Sequence, residues 1–149
     1  MILFGPALGN NPAFAFYQSA QANELLQTID AITPPKRSVI VLGDMNSSPT
    51  QVEVPGLIMP YQQFIDWGYY DVWTLRPGNV PGYTCCQKEE LANQKSELFE
   101  RIDMIFTHYQ PNKVKQARVL GDKVSSKTHP PGRGLWTTDH GGIAALLQF

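Results

Sequence analysis

A chain of 149 residues fits one domain, residues 1–149, and leaves little room for a second. Hydrophobic residues at 42% and charged residues at 17% exclude a disordered chain, and the longest apolar runs, 39–42 and 143–147, are far too short to cross a bilayer. The net charge of −1 conceals an asymmetry: residues 111–133 hold Lys113, Lys115, Arg118, Lys123, Lys127 and Arg133 against Asp122 alone, which makes them either a solvated strand and loop or a surface attractive to phosphate-bearing partners.

The opening MILFGPALGN lacks the basic start and long apolar core of a signal peptide, so a soluble chain is expected, its compartment left open. Asn11-Pro12 reads as a helix cap with proline in the first turn. Phe14, Tyr17, Gln18, Ala22, Leu25, Leu26, Ile29 and Ile32 then recur at helical spacing until Pro34-Pro35, which predicts one long helix over 14–32. Ser38–Leu42 is a β-branched run, predicted to be a strand buried on both faces. Residues 50–82 read as irregular, with a short helix near Tyr61–Trp67 and aromatic packing from Phe64, Trp67, Tyr69, Tyr70 and Trp73. Further strands are predicted at 82–86, 100–107, 113–120 and 142–149. Cys85 and Cys86 read as buried thiols in a strand, because adjacent cysteines rarely bond to each other. No Cys/His spacing suits a structural zinc site. One long helix, five strands and long loops imply an α+β fold with helix cover on a sheet.

Three polar groups stand at strand edges. Asp44 and Asn46 follow the strand at 38–42, Asp103 lies within ERIDMIF, and Asp139 and His140 precede the last strand. An Asp after a strand is commonly a turn former. Asp103 is different, because a carboxylate in an apolar strand needs a cationic or N–H partner. His140 is one candidate partner, and an Asp–His pair would suit a general base or a cation facing a phosphoryl group. Arg101, on the same strand face, is the other. Asp44, Asn46 and Asp139 offer hard oxygen donors, a set that favours Mg²⁺, Mn²⁺ or Ca²⁺ over zinc and fits phosphoester hydrolysis.

VIVLGDMNSSP, GYTCC, ERIDMIF and TTDHGGIAALL occur in an order and rough spacing that resembles the endonuclease/exonuclease/phosphatase superfamily, with its deoxyribonuclease I-like fold. The resemblance runs from about residue 14 to 149 and implies half of a four-layer α/β sandwich, mainly antiparallel, with one long helix. It implies a divalent-metal-dependent phosphoesterase acting on phosphodiesters or phosphomonoesters, with Mg²⁺ or Mn²⁺, or Ca²⁺, as cofactor. Matched residue by residue, Asp44 would activate water and share the metal with Asp139. Asn46 and His140 would contact the phosphate, Asp103 would hold His140, and Thr84 would lie near the phosphate.

Members of that family are usually near twice this length. Their metal-binding Glu, early Asn and phosphate-contacting His or Tyr have no counterpart here, and Leu3 stands where a remnant of the last segment would fall. The chain thus resembles the C-terminal half of the fold. Half a sandwich exposes an apolar face, which predicts a homodimer, a higher oligomer or a separate N-terminal half as partner. Nucleic acid is a candidate substrate through the basic segment, and Trp73, Tyr83 and Trp136 are candidates for a base- or sugar-binding surface, with core packing as the plainer reading. The competing functions are a non-catalytic half-domain or interaction module, and a hydrolase of another ester class. The latter would need a nucleophile elbow such as GxSxG, which Ser47 and Ser48 do not form.

Overall fold

The computed structural model describes residues 12–128 and 134–149; Leu3, the cap residue Asn11 and Arg133 lie outside them. Helix α1 (Pro12–Ile32) buries Ala15, Gln18, Ala22 and Leu26, a stripe of helical spacing. The chain then enters strand β1 (Ile40–Asp44), two residues later than the sequence pattern placed it. A short helix α2 (Pro60–Asp66), with proline in its first turn, forms where a brief helix was expected. Strands β2 (Tyr70–Asp71), β3 (Asp103–Thr107), β4 (Lys113–Leu120) and β5 (Gly142–Gln148) complete the described elements, with a 3₁₀ turn at Val124–Ser126.

These strands make two antiparallel sheets, one in the order β1-β3-β2 and one of β4 and β5. The fold is therefore α+β, as the element pattern implied. Strand β3 lies at the centre and is buried on both faces. Met104 and Phe106 point towards the helices, where they pack with Leu26, Met45, Phe64 and Tyr69. Ile105 points the other way and packs with Val72 and Val114, bordered by Ile143, Ala145 and Leu147 of the second sheet. The Phe64 and Phe106 rings stack at 4.5 Å between centroids, and Tyr69 meets Phe64 edge-on at 5.5 Å. Helices, central sheet and second sheet form three successive layers.

Four expectations need correction. Strand β1 is not buried on both faces. Val39 and Val41 pack towards the helices, but Ile40 and Leu42 on the opposite face are 47% and 68% exposed. Among the described residues β1 is an edge strand, paired with β3 alone, and the second sheet does not cover it. The strand at 82–86 reduces to isolated bridges from Cys85 to Glu100 and His140, while the two-residue β2 escaped the pattern reading because it is too short to alternate. Cys85 is buried but Cys86 only partly so, and their sulfurs are in contact outside any regular strand. In a regular strand their side chains would point to opposite faces, and the absence of regular pairing here lets the sulfurs meet. Lastly, Lys127 is buried, donates to the Asn93 carbonyl at 2.9 Å and sits over the Trp136 ring, so it is unavailable to a polyanion.

Arg101 does not pair with Asp103. Its Nη2 donates to Asp71 Oδ2 at 2.7 Å, both side chains being almost fully buried. The Tyr61 hydroxyl donates to the same oxygen at 3.1 Å, and the Trp73 amide donates to Oδ1 at 2.9 Å. Burial, followed by the nearby Asp71 charge, pushes the Tyr61 hydroxyl up to about 12, so it remains a donor. The pair ties the segment before β3 to the end of β2. Removing one partner leaves a buried charge uncompensated, so Arg101→Met or Asp71→Asn should cost about 3–5 kcal/mol in urea unfolding. Breaking the exposed Lys88–Glu97 pair, 3.7 Å apart, should cost less than ~1 kcal/mol. Equal losses would show that Asp71–Arg101 is not the tie described.

Candidate active site

The register of the central sheet sets Asp44, the last residue of β1, directly opposite Asp103, the first of β3. Opposed residues of an antiparallel pair project from the same face, so two carboxylates stand side by side. Like charges in that position repel, and each must be offset locally. Asp103 is offset by His140, whose Nδ1 lies 2.9 Å from Asp103 Oδ2. Asp44 is offset by Asn46, which donates its backbone N–H to Oδ1 at 2.7 Å and its side-chain amide to Oδ2 at 3.0 Å.

The turn that holds Asp44 is built for this. Gly43 adopts φ +147°, a conformation that L side chains rarely adopt, just before the carboxylate. Asn46 sits at φ +45°, where Asn is tolerated better than most residues. Gln18 of α1, itself buried, donates to the Asn46 carbonyl at 3.0 Å, and the Met45 amide donates to the Ile102 carbonyl at 2.9 Å. Ser47 is buried, and its hydroxyl accepts the Tyr61 N–H at 3.1 Å, satisfying a first-turn donor of α2. A serine spent in this way is not poised as a nucleophile.

Thr84 is fully buried, and its hydroxyl accepts the backbone N–H groups of Ile102 at 3.2 Å and Asp103 at 3.1 Å. It braces the strand that carries Asp103. His140 is brought in by β5: Cys85 bridges His140, the Gln87 amide donates to the Asp139 carbonyl at 2.7 Å, and the Gly141 amide donates to the Thr84 carbonyl at 2.6 Å. Asp139 is exposed, its Oδ1 accepting from the Thr138 hydroxyl at 3.3 Å. The structure thus gathers Asp44, Asn46, Asp103, Asp139 and His140 around the ends of three strands. Gln18 and Ser47 were not singled out from the sequence as supports. Gln18 was read only as a member of the helical stripe, although a polar residue in an apolar stripe is a signal that could have marked it.

The electrostatics follow from this crowding. The Asp103 hydrogen bond raises the His140 pKa despite opposing desolvation, and the Asp103, Asp44 and Asp139 charges add to the rise. Although Asp44 is open to solvent as a residue, desolvation raises its carboxyl above the ordinary value. The Asn46 N–H pulls it back and the Asp103 charge pushes it up again. A cation or an electron-poor group would be welcome at such a cluster.

No family model and no curated protein matches the chain. Solved structures do. A mannosyl-6-phosphatase from Bacteroides thetaiotaomicron superposes with a TM-score of 0.62 at 21% identity, over 89% of this chain and 46% of that one. An endonuclease/exonuclease/phosphatase family protein from Leptotrichia buccalis gives 0.56 at 22%, over 83% and 41%. The chain carries the endonuclease/exonuclease/phosphatase fold. A humanized TDP2 from D. rerio, at 25% identity and a TM-score of 0.58, matches over 91% of this chain and 50% of that one. The chain spans about half the length of these structures, so it represents half of that fold. Among the described residues no helix is long and apolar enough to cross a membrane.

His140 titration reports the pair directly. Its folded pKa lies above the ordinary value of ~6.5, so the charged ring's contribution to stability is complete below ~6.5 and is lost as the pH rises through the raised value. NMR titration should show His140 above ~6.5 in the native chain and lowered in Asp103→Asn. An unchanged His140 titration would refute the coupling.

Proposed function

We propose that this chain supplies one edge of a divalent-metal-dependent phosphoesterase site, with Asp44, Asn46, Asp103, Asp139 and His140 as its working residues. The observation that carries the reading is the Asp44–Asp103 cross-strand pair capped by His140. A structural role gains nothing from two opposed carboxylates, whereas a site that handles water and phosphate needs them.

The donor set fits Mg²⁺ or Mn²⁺ better than a calcium cage. Among the described residues no three carboxylate or imidazole groups converge by themselves, and Mg²⁺ commonly takes only one or two protein carboxylates, completing its shell with water and phosphate oxygens. Asp44 and Asp139 would hold the ion, which when bound would polarise the phosphoryl group. Asp44 also orients water for in-line attack on phosphorus. Asn46 presents its amide to a phosphate oxygen. His140, whose charged form Asp103 favours, would stabilise the negative charge that develops on the phosphoryl group. Asp103 and the buried Thr84 act through position. The similarity to a mannosyl-6-phosphatase and to TDP2 supports a phosphoester substrate, phosphodiester or phosphomonoester. The exposed Lys113, Lys115, Arg118 and Lys123 of the second sheet and its following turn add a surface suited to a polyanion.

The exposed Ile40 and Leu42 on an edge strand favour completion by a partner: a second copy, a higher oligomer, or a separately made half of the same fold. They equally suit a second reading, in which the chain is a non-catalytic half-domain or interaction module. Two measurements separate these. With Mg²⁺ or Mn²⁺ the assembled protein should hydrolyse bis-p-nitrophenyl phosphate or p-nitrophenyl phosphate. EDTA should abolish turnover, and Asp44→Ala and His140→Ala should each lower it by about 10²-fold or more. Turnover indifferent to EDTA and to both changes would overturn the mechanism. Millimolar Mg²⁺ should raise Tm in the native chain and not in Asp139→Ala; no shift in either would favour the non-catalytic reading. Sedimentation at micromolar concentration should show a dimer or larger species, and a strict monomer would count against self-assembly.

A further inference from the structure

Beside the candidate site opens a cleft of about 430 Å³, the size of a small-molecule pocket, which water activation and phosphate contact do not use. It abuts the site at three places: Ser48 lies two residues after Asn46, Tyr83 directly precedes Thr84, and Arg101 lies two residues before Asp103. The floor of the cleft is held from several sides. The buried Trp73 donates its Nε1–H to the Val80 carbonyl at 2.9 Å, and the Arg76 guanidinium lies over its ring at 4.6 Å. Gly82, at φ +72°, presses so close to the same ring that a Cβ there would collide with it. The loop between Trp73 and Tyr83 is therefore pinned before any ligand arrives.

The walls differ from the floor. Val80, Tyr83 and Phe99 line the cleft yet are 55%, 45% and 61% exposed. Neither the Tyr83 nor the Phe99 ring meets another aromatic ring among the described residues. Exposed apolar groups gathered at a concave surface with a few polar ones mark a ligand site. Two charged residues line the cleft. Arg101 is neutralised by Asp71, whereas the partly exposed Glu100 has no ion pair among the described residues. The cleft thus carries negative charge, repels a phosphate and offers a hydrogen-bond acceptor.

We propose that this cleft selects the organic group of the ester, and that the group is a planar heteroaromatic ring bearing an amino donor, of the adenine kind. Tyr83 and Phe99 supply the stacking surface, and Glu100 accepts a hydrogen bond from the amino group. A pyranose fits less well, because hydroxyls facing Val80 and Phe99 would lose their water without gaining a partner. Arg101 and Asp103 stand two residues apart, at most about 7 Å along an extended chain, a gap that one sugar ring bridges between base and phosphate. The placement beside a phosphate rests on the phosphoesterase reading; recognition of the ring itself does not.

The test is titration of the 149-residue chain with adenosine, which carries no phosphate, in the absence of metal and followed by NMR shifts. Tyr83→Ala and Phe99→Ala should each weaken binding about 5-fold or more. Both side chains are exposed, and circular dichroism verifies that each variant is folded; should either fail to fold, Tyr83→Leu and Phe99→Leu must show the loss instead. Purine riboside, which lacks the amino group, should bind about 10-fold more weakly than adenosine, and Glu100→Ala should erase that difference. Asp44→Ala should keep adenosine binding while losing hydrolysis, so failure of the phosphoesterase reading and failure of this one are separately visible. Equal binding of adenosine and purine riboside, binding indifferent to both ring substitutions, or methyl α-glucoside binding as well as adenosine would overturn the proposal.

Discussion

Two carboxylates set opposite each other on adjacent strands are the constraint around which the rest is arranged. Asp44 and Asp103 cannot both carry charge at such close quarters without local compensation, and each piece of surrounding structure supplies some. Asn46 curls back through a left-handed backbone to donate twice to Asp44. His140 arrives from the head of β5 to take Asp103. Thr84 fixes the strand from beneath by accepting two successive N–H groups, and Gln18 reaches out of α1 to hold the turn. None of these contacts is costly to make alone. Together they keep a repulsive pair in place, which a packed core would not call for.

The same logic explains the division of labour between Arg101 and His140. Both lie within reach of the β3 end, and either is a plausible partner for Asp103. Arg101 is instead spent on Asp71, in a pocket dry enough that a guanidinium and a carboxylate must satisfy each other. That leaves Asp103 for a group whose charge can change with pH, which a permanently charged guanidinium does not offer.

Much of this was legible in the sequence, for identifiable reasons. Helix α1 could be read because its apolar residues recur over five turns, and β4 because eight residues alternate, with the disturbance at 114–116 appearing as a bulge in its pairing with β5. The proposed site residues were visible because polar groups in apolar strands are expensive and therefore conspicuous. What stayed hidden depends on three-dimensional neighbours. The two-residue β2 has no period. The burial of Lys127 against Trp136 and the Asn93 carbonyl joins segments far apart in the chain. The exposure of Ile40 and Leu42 cannot be inferred from a run of β-branched residues, because burial depends on what lies opposite, and among the described residues nothing covers that face of β1.

Strand order carries a further consequence, for how the chain comes together. β1 does not pair with the next strand in sequence. It pairs with β3, matching Ile40 to Thr107 and Asp44 to Asp103. On a ribosome, α1 and β1 are therefore complete long before the strand that closes the sheet has been made, and only at Thr107 can the central layer zip. Until then the β1 edge that pairs with β3 waits open, so assembly is slow through its long-range contacts, and the nascent chain is most in need of chaperone cover over this interval.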